Sequence, residues 1–362
     1  MIKRALLLAL LATMLSVSPS TAQTEPTVFI CGVWPNRILF FDQTTDEFSE
    51  GLELRHGAVT RTAYTSDRRK FFVVTDRMES VEVIDPVRRE IVDEFKLSTG
   101  ARQVRIFGVF PNADGSQVYL TYTATETQID RFVRDDSADV LLYDLASQSI
   151  VDEFSVPPEL GSGGRPTIHV SPDGSSLFMI TDNIYEIDAQ THEVKNSLEI
   201  SKPLQAGYGP FRGIRLTETE PGMFYAIYRT VDPIQQKKLF GLAELDLYGS
   251  KISMFELGPE LRVGQFALSP DKKRGYAGLN DMVVIDMESR KVLVKKEGFE
   301  RGRTNNSMIV SHDGTKLYIS GVGDTVYIYD AATLEPIKTV YAGGDFMMPP
   351  VEILNPTESS SK

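Results

Sequence analysis

The sequence predicts an all-β protein, a seven-bladed β-propeller with four antiparallel strands in each blade, and three observations lead to this prediction. An aspartate that follows a mostly apolar pair recurs seven times, at intervals of 40 to 59 residues. A second aspartate, in a turn such as SPDG, precedes most of these copies. Short runs rich in Val, Ile, Tyr and Phe flank each turn, as expected of strands. Four short strands in each unit are typical of a propeller blade.

The aspartates of both repeats are predicted to form turns rather than to act as paired catalytic acids. An Asp side chain accepts hydrogen bonds from the backbone that follows it, and Gly tolerates positive φ. The aspartates that end the third strand of each unit are Asp42, Asp85, Asp144, Asp188, Asp246, Asp286 and Asp330. Those between the first and second strands are Asp67, Asp114, Asp173, Asp271 and Asp313.

The two ends of the repeat region predict how the propeller closes. The first unit lacks an innermost strand, because TVFICG already corresponds to a second strand. After the seventh unit, residues Pro350 to Leu354 match an innermost strand. We expect this C-terminal strand to complete the first blade and to leave no large exposed sheet edge. The predicted propeller spans residues 27–356, and residues 357–362 are predicted to be a disordered tail.

The first 22 residues are predicted to be a cleavable signal peptide. Lys3 and Arg4 precede an apolar run from Ala5 to Val17, and small residues follow as far as Ala22. We therefore expect a periplasmic protein. No later stretch is long and apolar enough to span a bilayer, so no membrane anchor is expected. The formal net charge of -12, with no basic run, argues against nucleic acid and anionic membranes as partners.

The chain contains one cysteine and one tryptophan, Cys31 and Trp34, and their closeness raises the possibility of a cysteine–tryptophan quinone. The alternative is that Cys31 is a buried apolar residue at the end of a strand and that Trp34 lies in the following turn. We expect the second arrangement. Because no second tryptophan is present, a two-tryptophan quinone within the chain is excluded.

No catalytic or metal-binding residues are predicted in this chain. The four histidines are spread over different units without metal-ligand spacing, and no C-x-x-C-H, G-x-S-x-G, P-loop or Rossmann motif occurs. His192 and His312 are expected in turns, whereas His169 lies in an inner strand and could face the channel. The inner strands offer few acids apart from Glu352, which argues against a metal-dependent lactonase of the propeller type.

Candidate binding residues fall on one face of the predicted propeller. We call the face that carries the connections into the innermost strands, and those between the second and third strands, the funnel face. The opposite face, with the aspartate turns, is the turn face. Two long inserts, Ala124 to Asp139 and Arg229 to Phe240, belong to the funnel face, where propeller loops commonly carry function. Six connections into inner strands carry an arginine: Arg61, Arg105, Arg165, Arg212, Arg262 and Arg303.

These arginines have two explanations. A guanidinium pairs in a bidentate manner with carboxylate or phosphate, so the arginines could bind an anionic ligand. Alternatively, they bond neighbouring carbonyls and acids and hold the blades together. Aromatic and thioether residues on the same face would suit either a protein interface or packed loop cores. They are Tyr208, Phe211, Phe346, Met347 and Met348.

Motifs such as SHDGTKLYISG and VYIYDAATLEPIKTV resemble the YVTN class of bacterial propellers. A narrower resemblance is to the β subunit of quinohemoprotein amine dehydrogenase. It is carried by FGVFPNADGSQVYLTYTATE and ADVLLYDLASQSIVDEFSVP in the third unit, and by YAIYRTVDPIQQKKLFGLAELDLYGS in the fifth. The order of long and short units also agrees. The chain is similar, more weakly, to the heavy chain of methylamine dehydrogenase.

The resemblance implies a non-catalytic subunit of a periplasmic complex. In that family a small subunit carries a cysteine–tryptophan quinone, a larger subunit carries two c-type haems, and the propeller holds the small subunit on its funnel face. The chain itself would then contain no cofactor, and Cys31 and Trp34 would have no part in the quinone. The alternative hypothesis is a stand-alone periplasmic propeller that binds an anionic ligand or a protein through its arginine-rich funnel face.

Overall fold

The computed structural model describes residues 28–135, 138–160, 165–202, 216–232, 234–297, 305–321, 323–349 and 351–353. Within these ranges the chain forms seven antiparallel sheets, which confirms the predicted seven-bladed propeller. The helical content of this part is two short 3-10 turns, Asp76–Met78 and Pro158–Leu160. None of the described helices is long and apolar enough to cross a membrane.

The strands of the first four blades are named in chain order. Blade 1 contains β1 (Val28–Val33), β2 (Arg37–Asp42), β3 (Glu47–Phe48) and β4 (Leu52–Glu53). Blade 2 contains β5 (Arg61–Tyr64), β6 (Phe71–Thr75), β7 (Ser80–Asp85) and β8 (Glu90–Lys96). Blade 3 contains β9 (Arg102–Pro111), β10 (Gln117–Thr127), β11 (Phe132–Asp135), β12 (Val140–Asp144) and β13 (Ser149–Phe154). Blade 4 contains β14 (Thr167–Val170), β15 (Ser176–Ile180), β16 (Ile184–Asp188) and β17 (Val194–Leu198).

Three further blades and a final strand complete the ring. Blade 5 contains β18 (Thr217–Glu220), β19 (Met223–Val231), β20 (Lys238–Asp246) and β21 (Lys251–Pro259). Blade 6 contains β22 (Val263–Leu268), β23 (Arg274–Leu279), β24 (Met282–Asp286) and β25 (Lys291–Lys296). Blade 7 contains β26 (Asn305–Val310), β27 (Lys316–Gly321), β28 (Thr325–Asp330) and β29 (Pro336–Tyr341). The last strand is β30 (Val351–Ile353).

The ring closes as predicted, because β30 is the innermost strand of blade 1. It pairs antiparallel with β1, with Ile353 opposite Val28 and Val351 opposite Ile30. A second connection joins blades 7 and 1 further from the channel. There Asp46 accepts hydrogen bonds from Lys316 Nζ at 2.6 Å and from the Tyr318 hydroxyl at 3.1 Å. Both connections protect the first and last sheets from opening at their edges.

The hydrophobic core lies between neighbouring blades. Strand side chains alternate between the two faces of a sheet, so each sheet can pack on both neighbours. Between blades 2 and 3, for example, Phe72 and Val83 pack with Val104, Ile106 and Leu120, all of them buried. Comparable buried clusters join each other pair of adjacent blades. This arrangement makes the ring a rigid scaffold for the loops on its two faces.

The aspartates before the second strands form tight turns on the turn face, as predicted. In blade 4, Asp173 Oδ1 accepts hydrogen bonds from Ser171 Oγ at 2.6 Å and from the Ser175 backbone N–H at 3.1 Å. These bonds hold the pKa of Asp173 at about 2. The Gly174 N–H closes the turn on the Ser171 carbonyl, with Gly174 at positive φ. The same hydroxyl-to-carboxylate bond occurs at Asp67, Asp271 and Asp313.

The aspartates that end the third strands also form turns. These turns contain a left-handed residue that the sequence did not predict. In blade 4, Asp188 Oδ1 accepts bonds from the backbone N–H groups of Gln190 and Thr191. The residue four positions after each of these aspartates has a left-handed backbone, although none is glycine. These residues, with φ between 49° and 59°, are Asp46, Arg89, Gln148, His192, Ser250, Arg290 and Leu334.

Candidate protein-binding face

Three connections on the funnel face are fixed by polar side chains at, or directly before, the starts of third strands. Glu82 of β7 is fully buried. Its carboxylate accepts hydrogen bonds from the backbone N–H groups of Arg55 and His56 and from the Thr75 hydroxyl, at 2.9 to 3.1 Å. A buried carboxylate with three donors anchors the connection from blade 1 to blade 2, because each unsatisfied buried donor would be costly.

A similar arrangement, in which a side-chain oxygen accepts bonds from the backbone of a connection, occurs in blade 4. Asn183, in the turn between the second and third strands, accepts bonds from the backbone N–H groups of Ile200 and Ser201 at 3.0 and 2.9 Å. In blade 3, Asp139 accepts a bond from the Val156 N–H at 3.3 Å. Rigid connections of this kind hold the exposed side chains beside them in fixed positions, which favours binding.

Two of the predicted arginines meet around Phe107, on the inner strand of blade 3. Arg61 donates from Nε to the Phe107 carbonyl at 3.2 Å and from Nη1 to the Thr60 carbonyl at 2.6 Å. The Arg165 guanidinium lies 3.5 Å from the centre of the Phe107 ring. Arg105 is exposed and lies two residues before Phe107 on the same strand. The structure therefore gathers three candidate arginines, from blades 2, 3 and 4, on one sector of the funnel face.

The other predicted arginines do not join this group in the described part of the chain. Arg262 is exposed on blade 6, and its backbone N–H bonds the Asp281 carboxylate at 2.9 Å. Arg212 and Arg303 lie outside the described residues, as do Tyr208 and Phe211. The carbonyl bonds of Arg61 agree with the structural explanation for this arginine.

The segment between β29 and β30 lies across blades 7 and 1 on the funnel face. Phe346 is half-buried near Phe48, with ring centres 6.4 Å apart, and Met348 is buried. Met347 is exposed, and its N–H bonds the Gly32 carbonyl at 2.8 Å. Phe346 and Met348 thus belong to packed loop cores, whereas Met347 is available to a partner.

Trp34 is a further exposed aromatic on this face, and the sequence reasoning did not include it among the binding residues. It occupies the turn between β1 and β2, is 55% exposed, and is held by a bond from its N–H to the Asp345 carbonyl. Cys31, three residues earlier, is completely buried beside Leu39, and burial raises the pKa of its thiol strongly. The structure agrees with a packing role for Cys31, as expected.

The two long inserts form hairpins that rise from the funnel face on either side of blade 4. In blade 3, β10 has 11 residues and its end pairs with β11, with Ile129 and Phe132 exposed at the tip. In blade 5, β19 and β20 have nine residues each, and Ile234 at the tip is 90% exposed. Both tips therefore present exposed apolar side chains that a partner protein would bury.

Exposed large apolar side chains concentrate on the funnel face of the described part. Seven of fifteen lie there: Trp34, Ile129, Phe132, Val231, Ile234, Tyr341 and Met347. Only Val87 and Tyr248 are exposed at turns of the opposite face, and the rest lie on outer strands. The presence of Ile and Phe inside otherwise polar inserts was the sequence signal for these exposed residues. The prediction considered only the length of the inserts.

The channel behind this face contains more acid than the sequence suggested. Glu218 and Glu220 lie on β18, the innermost strand of blade 5, and both line the channel. The sequence-based expectation named Glu352 alone among the few inner-strand acids and did not include these two. The side chain of Glu352 lies outside the described part. Among the described residues, no group of three or more His, Cys, Asp or Glu side chains could hold a metal ion.

The histidines have individual structural partners. His169 lines the channel and its Nε2 lies 2.8 Å from the Tyr248 hydroxyl. His192 occupies a turn, as predicted, with its ring stacked on Phe154 and its Nε2 2.9 Å from an Asp152 oxygen. Both rings belong to blade 4, but His169 contacts blade 5 through Tyr248, whereas His192 contacts blade 3 through Phe154 and Asp152, so they lie on separate networks.

The fold and its exposed face define the class as a seven-bladed β-propeller with one decorated face. No protein-family model and no curated protein matches the chain. A solved structure of a functionally unknown protein from Desulfotomaculum acetoxidans is similar, at 14% identity and a TM-score of 0.58, over 90% of this chain and 98% of that one.

Two other solved structures are similar in fold. Dihydro-haem d1 dehydrogenase NirN matches at 13% identity and a TM-score of 0.56, over 93% of this chain and 77% of that chain. Kuenenia stuttgartiensis hydrazine synthase matches at 15% identity and a TM-score of 0.51, over 82% and 90% respectively. At such identities the likeness shows the propeller fold alone, and the narrower resemblance to an amine dehydrogenase subunit stays a prediction.

Proposed function

We propose that this protein is a non-catalytic binding subunit whose funnel face docks a second protein. The partner we propose is the small quinone-bearing subunit of a periplasmic amine dehydrogenase, with a dihaem cytochrome c subunit in the same complex. In this assembly the propeller holds the quinone subunit and lines the access path of the amine substrate.

The observation that carries the docking proposal is the position of the exposed apolar side chains. Phe132 and Ile234 project from two hairpins on either side of blade 4, and Trp34 and Met347 lie on the same face. Aromatic and Met side chains are enriched at protein interfaces, where burial of apolar area stabilises the complex. Small ligands prefer concave pockets, so apolar hairpin tips favour a protein partner.

The identity of the partner rests on the resemblance of the third and fifth units, which contain these two hairpins. The acidic chain, with a formal net charge of -12, would also attract a cationic amine at long range, an effect that salt weakens.

Purification of the protein from its own cells, grown on amines, tests this proposal. We expect it to elute with a small protein that stains for a covalently bound quinone. The double variant Phe132→Asp and Ile234→Asp should lose that partner, because two carboxylates would be desolvated at the interface. The control is Leu293→Asp with Ile337→Asp, which changes two exposed apolar residues on outer strands and should keep the partner.

A chain that elutes alone under these conditions, or a quinone protein that is retained equally by the hairpin variant, would contradict the proposal. Melting curves of both double variants establish that the propeller remains folded. Staining for the quinone is essential, because an unidentified co-eluting protein would not distinguish the proposed partner from a contaminant.

The second candidate function is binding of an anionic ligand at the arginine sector around Phe107. Burial and the nearby charge of Arg134 both lower the pKa of Arg165, which indicates positive charges close together. An anion between such charges would be stabilised. This candidate predicts a protein that elutes alone and that loses anion binding when Arg105 and Arg165 are both changed to Ala, with the melting temperature retained.

A further inference from the structure

The turn-face end of the channel contains a cavity that the proposed partner does not occupy. Its two parts have volumes of about 450 and 400 Å³. They share five lining residues, so they form one continuous space: Tyr64, Arg68, Glu218, Thr219 and Glu220. Inner strands from all the blades contribute to its walls. A volume of this size is typical of small-molecule sites.

Glu218 faces this cavity, and the groups in contact with its carboxylate are neutral. Its Oε1 accepts a hydrogen bond from the Gly222 N–H at 3.2 Å and lies 3.7 Å from His169 Nδ1. Burial lowers the pKa of His169, so the imidazole is neutral at pH 7. Within the described part of the chain, no lysine or arginine lies within ion-pair distance of Glu218.

The position of His169 is fixed by Tyr248. Burial, together with the charges of Glu218 and Asp173, raises the pKa of Tyr248 to about 12, so the phenol keeps its proton. The Tyr248 hydroxyl lies 2.8 Å from His169 Nε2, and His169 Nδ1 lies 3.7 Å from the Glu218 carboxylate. Because a carboxylate only accepts, the tautomer that suits both contacts carries its N–H at Nδ1 and accepts the Tyr248 O–H at Nε2. The approach of Tyr248 requires glycine at position 222, because a Cβ there would lie 2.3 Å from the Tyr248 ring.

The other charged side chains of the cavity have partners of their own. Glu220 forms an ion pair with Lys272 of the neighbouring blade. The Arg68 guanidinium lies 3.4 Å from the centre of the Tyr64 ring on the wall formed by blade 2. Glu218 is therefore the carboxylate of this cavity whose charge lacks a cationic partner among the described residues.

We propose that the turn-face end of the channel binds a small organic ammonium ion. The ammonium group donates hydrogen bonds to Glu218, because a charge-assisted bond to a half-buried carboxylate is stronger than a neutral one. The alkyl part of the ligand packs on the apolar wall formed by Val109 and Ile168. This site lies at the opposite end of the channel from the proposed protein partner and does not depend on it.

Calorimetric titration with n-butylammonium chloride at constant ionic strength tests the proposal. We expect saturable binding of n-butylammonium and none of n-butanol, which has the same chain length without the charge. The Glu218→Gln variant should bind n-butylammonium at least about tenfold more weakly, as expected for loss of one charge-assisted bond. The matched control is Glu193→Gln, which removes an exposed carboxylate from the same face outside the cavity and should bind as the wild type does.

A second variant keeps the test decisive if Glu218→Gln does not fold. Thr219→Lys would place a competing ammonium group in the cavity and should abolish the binding. The proposal is overturned if the folded wild type shows no saturable binding, if n-butanol binds equally well, or if binding survives in the folded Glu218 and Thr219 variants. Melting curves identify which variants are folded.

Discussion

At the scale of single residues, the strand pattern of the sequence predicts the burial of some side chains correctly and of others incorrectly. Cys31 is buried, as the apolar strand around it predicts. Glu82 is also buried, although a lone acid between valines in VEVID suggests exposure on alternation alone. Its burial depends on three donors from a distant connection and from Thr75, which only the folded chain brings together.

The Glu82→Ala variant should lose about 3 kcal/mol of unfolding free energy, because two backbone N–H groups and one hydroxyl would stay buried without an acceptor. The control is Glu90→Ala, at an exposed position on β8 of the same blade, and its change should stay below about 0.5 kcal/mol. Urea unfolding followed by tryptophan fluorescence or circular dichroism measures both. Equal stabilities for the two variants would refute the anchoring role of Glu82.

Cys31 should not react with a thiol reagent in the native protein. Complete burial blocks access and raises the thiol pKa, so the reactive thiolate is scarce at pH 8. We expect labelling only in denaturant, with one thiol per chain. Rapid labelling of the native protein would show that the β1 environment opens far more readily than the structure implies.

At the scale of elements, the sequence predicts the positions of the turns but not all of their backbone conformations. The SPDG-type turns follow from their residues, because Asp and Gly have local reasons to be there. The left-handed residue at Leu334 has no such signal, since leucine is not a type that favours positive φ. Its backbone N–H bonds the Asp330 carbonyl, so the geometry of the turn and not the preference of the residue itself decides its conformation.

The turn aspartates make the protein sensitive to acid. Hydrogen bonds lower the pKa of Asp114, Asp144, Asp173, Asp188, Asp271, Asp286 and Asp330 below the ordinary value of 3.8. A lowered folded-state pKa contributes stability above the unfolded pKa, and this contribution disappears as the pH falls. We therefore expect the urea midpoint to fall steeply between about pH 4 and pH 2.

The Asp173→Asn variant checks the cause of this acid sensitivity. Without the carboxylate, the decline of the unfolding free energy between about pH 4 and pH 2 should be shallower than in the wild type. A midpoint that stays constant or rises over this range in the wild type would contradict the assignment of the lowered pKa values.

At the scale of the whole molecule, the repeat spacing was sufficient to predict seven blades and the strand that closes them. The candidate site was predicted only in part. The lengths of the units predict the funnel face and its two hairpins. The exposure of Phe132 and Ile234 at the hairpin tips could not be predicted from the sequence. The channel acids Glu218 and Glu220 were missed because blade 5 has no aspartate turn to mark its inner strand.

The closing strand should contribute measurably to stability. Removal of residues 350–362 eliminates β30 and exposes the edge of β1, so we expect the melting temperature to fall by about 5 °C or more and aggregation to increase. Removal of residues 357–362 alone is the control and should leave both unchanged. Equal behaviour of the two truncated proteins would disprove closure through β30.

Hydrogen exchange on the purified complex, compared with the free chain, tests most directly whether the funnel face receives a partner protein. We predict slower exchange in the peptides that contain Trp34, the blade 3 hairpin around Phe132 and the blade 5 hairpin around Ile234. Turn-face peptides, such as that of Asp173, should exchange equally in both states. Protection confined to the turn face, or no protection in either hairpin, would contradict the account.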